Sequence, residues 1–222
     1  MSLGLLIVLA FGVLLMCIPI GLQMKWYRIL WWKSILISVT LALIGVVGSY
    51  LWFYVENGYF WGRSLFGSIF FAPLAYYPIA KIIKIPYHYS LDFCAPAGAL
   101  TLAAIKLQCL RDGCCQGMIL GIDQNYFYVR FPSQIVESVA FALVGIVLLV
   151  LSKKPKYRGK IFPWFLILYG STRFVLDFFR DISASYALGL SSGSFWSLCA
   201  IIVGVMWLHL LIRKNAATMK QE

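Results

Sequence analysis

Seven long apolar runs, each free or nearly free of charge, set the pattern of this chain. They fall at about residues 3–22, 34–55, 64–80, 93–110, 132–152, 161–179 and 194–212. Runs of this length and periodicity are typical of α-helices that cross a bilayer, which need about 20 apolar residues. The third run is short, and its Gly67 and Pro73 predict a kinked or closely packed helix. The pattern therefore predicts an all-α integral membrane protein built as a bundle of seven transmembrane helices.

Composition agrees with this prediction and narrows the domain count. The 222 residues are 62% hydrophobic and 12% charged, whereas soluble domains carry about 25% charged residues. Such a chain needs lipid to solvate the outer faces of its helices. We expect a single membrane domain over residues 1–222, with one long non-helical stretch, an extracytoplasmic loop or lid at about residues 111–131.

Positive charge is distributed unevenly among the loops. It accumulates after the first, third, fifth and seventh runs, at Lys25, Arg28, Lys33, Lys81, Lys84, Lys153, Lys154, Lys156, Arg158, Lys160, Arg213, Lys214 and Lys220. Because cytoplasmic loops are enriched in Lys and Arg, we predict an uncleaved first helix, the N-terminus outside and the C-terminus inside. The net charge of +11 is then explained by orientation and by anionic lipid, and nucleic acid is not an expected partner.

Charged residues inside the apolar runs are the first candidates for function. The stretch YGSTRFVLDFFRD contains Arg173, Asp177 and Arg180 at spacings of three, four and seven, which predicts one stripe along a helix. A lone charge at mid-bilayer costs roughly 2.5 to 3.5 kcal/mol on insertion scales, so these charges must be compensated by pairing or by a polar cavity.

The predicted orientation brings further polar residues to the same depth. Lys106 falls near the outer end of the fourth run, and Gln134 and Glu137 fall near the outer start of the fifth. Together with Arg173 and Asp177 they predict a shared polar cavity that opens outward. Three simpler interpretations remain open: a structural Arg173–Asp177 ion pair, a Glu137 that only bonds a neighbouring helix, and snorkelling by Lys106 and Arg130.

Cysteines form a second cluster of candidates. Cys109, Cys114 and Cys115 lie on the predicted outer side, where a disulfide from Cys109 to one of the pair, buried free thiols and redox catalysis are all compatible with the spacing. We expect no metal site, because the spacing is not C-x-x-C and no histidine is near. We also expect no strands, no dinucleotide motif and no cofactor.

Three stretches carry a resemblance to a known family. Tyr169–Arg180 resembles the pattern Y-G-x-x-R-F-x-x-E-F-x-R, with Asp177 in place of Glu. FPSQIVES at Phe131–Ser138 is similar to H-P-S/T-Q-L-Y-E-S/A. KLQCLRDGCCQG at Lys106–Gly117 is similar to G-R-x-G-N-F-x-N-G-E-x-x-G, and more closely to a variant with C-F and G-C-C. The family is the prolipoprotein diacylglyceryl transferases, bacterial seven-helix enzymes that move diacylglyceryl from phosphatidylglycerol to a lipobox cysteine.

The resemblance implies roles for individual residues. Arg173 would bind the lipid headgroup, Asp177 would orient Arg173, and Glu137 with Gln134 would supply polar support. Lys106 stands where the family has Arg, and Cys109 stands at its Asn. The residues implied in catalysis are Arg173, Asp177, Glu137, Lys106 and Cys109, and those implied in substrate binding are Arg173, Arg180, Gln134, Arg111, Gly113, Gly117 and Tyr169.

The implied activity takes place at the outer leaflet of the bacterial cytoplasmic (inner) membrane. Its substrates would be phosphatidylglycerol and a prolipoprotein lipobox peptide, and glycerol phosphate would be released. Arginine suits this chemistry because it is always ionised and binds phosphate through two nitrogens.

The sequence also departs from the family. GRSLFGSIFFAPLA at Gly62–Ala75 is similar to S-F-H-G-G-L-I-G but has Phe66 at the histidine, and His88 and His209 fall in or near predicted cytoplasmic regions. A thiol acceptor would need Glu137, Asp112 or Asp177 as base, or nearby cations that lower its pKa. Two alternatives follow: a non-catalytic lipid-binding or interaction protein on the same scaffold, and a membrane thiol oxidoreductase that uses Cys114 and Cys115.

Overall fold

A computed structural model describes residues 16–59, 64–123, 127–181 and 186–218 of the chain. These residues are mostly helical. In chain order the helices are α1 (16–27), α2 (Trp32–Asn57), α3 (Leu65–Ile83), α4 (Tyr87–Asp112), α5 (Ser133–Lys153), α6 (Ile161–Asp177) and α7 (Ser192–Thr218), with one 3₁₀ turn at Pro155–Tyr157. Most of the first predicted run, at residues 3–22, lies outside the described residues.

Four described helices are long and apolar enough to cross a membrane. The spans are Ile35–Asn57, Tyr87–Asp112, Ser133–Lys153 and Ser192–Arg213. Large apolar side chains on them face outward, including Val55 at 73% and Leu210 at 63% exposure, as expected where lipid replaces water as the solvent. The protein is therefore a multi-pass membrane protein. The count of seven spans and the orientation of the termini stay predictions.

The described part of the chain forms two compact units. The first comprises residues up to Gly98 together with Leu149–Phe162, and the second comprises Ala99–Leu148 with Pro163 onward. In the first unit α2 and α3 pack closely, because a Cβ on Gly67 would collide with the carbonyl oxygen of Gly48. The close packing predicted for the third run is thus confirmed.

A buried carboxylate organises the polar interior of the first unit. Asp92 is fully buried and accepts hydrogen bonds from the Tyr27 hydroxyl at 2.9 Å, from the Ile161 amide at 2.9 Å and from the Gly159 amide. The amides before and at the start of α6 have no partner within that helix, so Asp92 satisfies groups that would otherwise be buried without a partner. This carboxylate is a structural cap.

A β-hairpin connects α4 to α5 in the second unit. Strands β1 (Ile119–Ile122) and β2 (Tyr128–Arg130) pair antiparallel, with Ile119 opposite Arg130. The prediction that the chain has no strands is wrong here, because apolar and β-branched residues beside Gly121 favour a short exposed ladder. The hairpin occupies the stretch predicted as a loop or lid. Backbone hydrogen bonds from Met118 to Phe179 and from Phe131 to Met118, at 3.0 and 2.9 Å, anchor its base.

Candidate active site

Five charged side chains from α4, α5, α6 and the residues just after α6 meet in the second unit. Lys106 Nζ lies 2.5 Å from Glu137 Oε2, and Arg173 Nη1 donates to Glu137 Oε1 at 3.1 Å. Arg173 Nη2 lies 2.9 Å from Asp177 Oδ1. Glu137 and Asp177 are almost completely buried. The convergence of Lys106, Glu137, Arg173 and Asp177, expected from the sequence, is present, and we call these four with Arg180 the ion cluster.

Arg180 occupies a place that differs from the prediction. The sixth run was expected to continue as a helix to residue 179, but α6 ends at Asp177, and Arg180 forms a β-bridge with Gly117. Its guanidinium still turns toward the cluster, with Nε 3.6 Å from Glu137 and Nη1 3.6 Å from Asp177. Both separations exceed hydrogen-bonding distance. Among the described residues, the Arg180 side chain therefore has ionic neighbours but no hydrogen-bond acceptor.

The charges of the cluster do not cancel. Three cations stand against two carboxylates, which leaves a net charge of +1 in a largely buried site. The Arg180 side chain is only 17% exposed, and its buried Nε has no hydrogen-bond acceptor among the described residues. A site with one excess cation, and with a guanidinium N–H that has no acceptor among the described residues, is suited to an anion with several acceptor oxygens, such as a phosphate.

The start of α7 supplies partners that the sequence analysis missed. The hydroxyls of Ser191 and Ser194 both donate to Asp177 Oδ2, the second at 2.9 Å. Ser191 also accepts from the Ser194 amide at 3.0 Å, which makes it the N-cap of α7. The signal was visible as S-S-G-S immediately before an apolar run, a pattern typical of a helix start. These contacts hold the carboxylate that in turn holds Arg173.

Gly193 is required by the close approach of α7 to the cluster. A Cβ at this position would lie 2.9 Å from both carboxylate oxygens of Asp177 and 3.0 Å from Arg173 Nη2. We expect Gly193→Ala to displace these two side chains and to destabilise the protein by about 1 to 3 kcal/mol, the usual cost of overpacking. Thermal unfolding in detergent measures this. Gly98→Ala in α4 is the matched control, because its Cβ would meet nothing within 4 Å, and an equal loss in both variants would contradict the prediction.

Gln134 and Gly117 position the loop that follows α4. Gln134 Nε2 donates to the carbonyl of Cys114 at 2.8 Å, and Ser133 Oγ donates to the carbonyl of Cys115 at the same distance. Gly117 lies so close to the start of α5 that a Cβ would collide with the Phe131 carbonyl oxygen. The two sequence-predicted residues are thus contacts of the loop backbone, and they bring both cysteines to the edge of the cluster.

The three cysteines of this region form a compact group. The sulfur atoms of Cys109, Cys114 and Cys115 all lie within 4.8 Å of one another, and all three are free thiols in this structure. A hydrogen bond from Cys109 and the positive charges of Lys106 and Arg180 lower the pKa of Cys115 to about 5.

The remaining predicted residues lie apart from these contacts. Arg111 is exposed in the last turn of α4 and belongs to no described ion pair, and Gly113 forms the left-handed turn that follows, with φ of +67°. Tyr169 is fully buried and stacks with Phe165. Their role in substrate binding stays a prediction. Asp112 is exposed and accepts a hydrogen bond from Gln108.

Arg130 pairs with Asp181 at 2.7 Å on the surface of the second unit. It also donates to the carbonyl of Gly117 at 3.3 Å. It is thus a structural cation that ties the hairpin to the end of α6.

Comparison with known proteins agrees with the resemblance of the motifs. The sequence profile of the family described as prolipoprotein diacylglyceryl transferase matches residues 2–210. Similar curated proteins named phosphatidylglycerol–prolipoprotein diacylglyceryl transferase include those of Clostridium tetani, 26% identical over 65% of this chain and 62% of its own length, and Methylobacillus flagellatus, 31% identical over 69% and 62%. A third, from Paraburkholderia phymatum, is 39% identical over 44% of this chain and 34% of its own length.

The chain spans about three fifths of the length of the first two relatives. The profile nevertheless covers nearly all of the chain, including every residue of the ion cluster. This protein therefore belongs to the prolipoprotein diacylglyceryl transferase family.

Proposed function

We propose that this protein transfers diacylglyceryl from phosphatidylglycerol to a cysteine thiol of prolipoproteins at the outer leaflet, and that it releases glycerol phosphate. The observation that carries the proposal is the buried ion cluster with a net charge of +1 and an arginine, Arg180, that has no hydrogen-bond acceptor among the described residues. Family membership and the names of the relatives supply the reaction type and the two substrate classes.

The cluster suits a reaction in which phosphate becomes a leaving group. In phosphatidylglycerol the phosphate is a diester with one negative charge, and cleavage of a carbon–oxygen bond leaves a monoester that carries a second. A preorganised cation in a water-poor site favours the state with more charge. Among the described residues, Arg180 Nε has no hydrogen-bond acceptor, whereas Arg173 Nη1 already donates to Glu137 and Arg173 Nη2 lies 2.9 Å from Asp177 Oδ1.

This division of roles changes the assignment made from the motif. Arg173, implied by the resemblance as the headgroup ligand, is better suited to setting the positions of Glu137 and Asp177. Arg180 then contacts the phosphate directly, and Lys106 neutralises Glu137 so that this carboxylate does not repel the lipid anion.

The proposed location follows from the loop charges, with the cluster in the outer half of the bilayer and the hairpin at the outer surface. Lipid would reach the site from within the membrane, and the prolipoprotein peptide would reach it from outside.

The test is incubation of purified protein in nanodiscs with phosphatidylglycerol and a lipobox-cysteine peptide. We expect a gain in peptide mass equal to one diacylglyceryl group, with an equal amount of glycerol phosphate released. A peptide with serine in place of the acceptor cysteine, and nanodiscs of phosphatidylcholine, are the controls. Absence of both products from folded protein would overturn the proposal in favour of a non-catalytic lipid-binding protein.

A further inference from the structure

Three thiols beside the ion cluster have a geometry that the positions of the charged residues do not explain. Cys109 lies in the last turn of α4, whereas Cys114 and Cys115 lie in the loop after it, and the fold brings all three sulfur atoms within 4.8 Å of one another. The Gln134 and Ser133 side chains hold the backbone of both loop cysteines. The group is thus set by the fold as well as by the proximity of the residues along the chain.

The separations are close to those of a metal centre with three thiolate ligands. With zinc–sulfur bonds of about 2.3 Å, the sulfur atoms of a tetrahedral site lie about 3.8 Å apart. The observed spacing has to contract by at most about 1 Å, which rotations of the cysteine side chains supply. Thiolates are soft ligands and select zinc or copper(I) over magnesium or calcium.

Access from the surface also fits such a centre. Cys114 is exposed, while Cys109 and Cys115 are half-buried, so a metal ion can enter from the surface. Three protein ligands leave the fourth position of a tetrahedral ion open, which is characteristic of catalytic zinc sites.

We propose that Cys109, Cys114 and Cys115 bind a zinc ion whose open position takes the acceptor thiol of the prolipoprotein. This inference rests on the proposed transfer reaction and supplies a means of deprotonating that thiol. His209 is remote from the ion cluster, because it lies about 22 Å along α7 from Ser194 at 1.5 Å per residue, and the loop charges predict a cytoplasmic position for His88. The spacing of the cysteines in the sequence predicted no metal site, whereas their arrangement in three dimensions favours one.

The step balances without a further reactant. The acceptor thiol loses its proton to water when its sulfur binds the metal, because a metal-bound thiol is deprotonated. The thiolate then attacks the glyceryl carbon that bears the phosphate oxygen. A carbon–sulfur bond forms, the carbon–oxygen bond breaks, and its electron pair leaves with glycerol phosphate beside Arg180. No oxidant or reductant is needed.

Cobalt(II) substitution tests the site without reference to transfer. Reduced, chelator-treated full-length protein in detergent is titrated with Co²⁺, and we expect a thiolate-to-cobalt charge-transfer band that saturates at one ion per chain and is displaced by Zn²⁺. Cys109→Ser, Cys114→Ser and Cys115→Ser should each weaken binding by about 100-fold or more, since loss of even an outer-shell partner costs 10- to 100-fold. Cys199→Ser, which removes a half-buried thiol of α7, is the matched control and should bind as the wild type does.

The acceptor role is tested by adding a lipobox-cysteine peptide to the cobalt protein. We expect the charge-transfer band to intensify and shift, and the serine peptide to leave it unchanged. The proposed metal site is wrong if no saturable band appears or if the three variants retain the band. It is also wrong if protein taken from cells has a disulfide among these cysteines. A band indifferent to the cysteine peptide, or full transfer by metal-free protein, overturns the role in thiol activation. If the peptide thiol binds the metal but no diacylglyceryl transfer occurs with any metal or without one, the metal site is supported and the proposed function is refuted.

Discussion

Arg180→Ala is expected to lower diacylglyceryl transfer by about 100- to 1000-fold, the usual effect of removing one preorganised donor to developing charge, while the unfolding temperature barely changes. The physical reason is the asymmetry of its contacts. Arg180 approaches Glu137 and Asp177 at 3.6 Å without a hydrogen bond to either, so its removal leaves both carboxylates with their shorter partners. We therefore expect Arg180 to contribute little to the stability of the fold and to stabilise the bound phosphate.

Two variants sharpen this experiment. Arg180→Lys keeps the charge but loses the planar fork, so we expect a transfer rate between those of the wild type and the alanine variant. Arg130→Ala removes an arginine of the same unit that is paired with Asp181 outside the ion cluster, and it should retain transfer within a few-fold. The role assigned to Arg180 would be wrong if the Arg180→Ala variant transferred diacylglyceryl at the wild-type rate. It would also be wrong if Arg130→Ala lowered the transfer rate as much as Arg180→Ala does.

Much of this architecture was predictable because its causes are local. Charge inside an apolar run is costly enough to require a partner, so the meeting of Lys106, Glu137 and Arg173 follows from their placement in three successive runs. The close packing of α3 on α2 follows in the same way from Gly67, since a residue without a side chain inside an apolar run marks a close approach of two helices.

The features that the sequence did not predict depend on where a helix ends and on contacts between residues that are far apart in the sequence. A stripe of residues at spacings of three and four indicates a helix but does not give its end, and Arg180 lies three residues past the last residue of α6. Its backbone bridges Gly117, which belongs to the loop after α4. This long-range pairing has no signal in the local sequence around either residue.

The contacts of Ser191 and Ser194 with Asp177 were likewise not predictable from the local sequence. Their sequence predicts a helix start, which is correct, but nothing local indicates that the cap also faces a carboxylate of another helix. The proximity of the three cysteines was also not predictable from the local sequence. Their spacing matches no metal motif, but the turn at Gly113 brings their sulfur atoms together.

The second large effect is expected at Arg173, and it should be an effect on stability. Arg173 Nη1 and Nη2 bridge Glu137 at 3.1 Å and Asp177 at 2.9 Å, and its side chain is only 10% exposed. Removing one partner of a buried pair costs about 3 to 5 kcal/mol, because a carboxylate stays buried without compensation. We therefore expect Arg173→Met to lose transfer together with a large part of the free energy of unfolding, in contrast to Arg180→Ala.

A double-variant cycle separates this electrostatic loss from a loss of packing. Asp177→Asn removes the negative charge that Arg173→Met leaves without its nearest cation, while the amide still accepts hydrogen bonds from Ser191 and Ser194. The double variant should thus be less destabilised than the sum of the two single variants, by about 1 to 3 kcal/mol, as is usual for residues in one ionic network. Unfolding midpoints in detergent measure the three differences. Strict additivity would show that Arg173 and Asp177 act independently, and the bridging role of Arg173 would then be wrong.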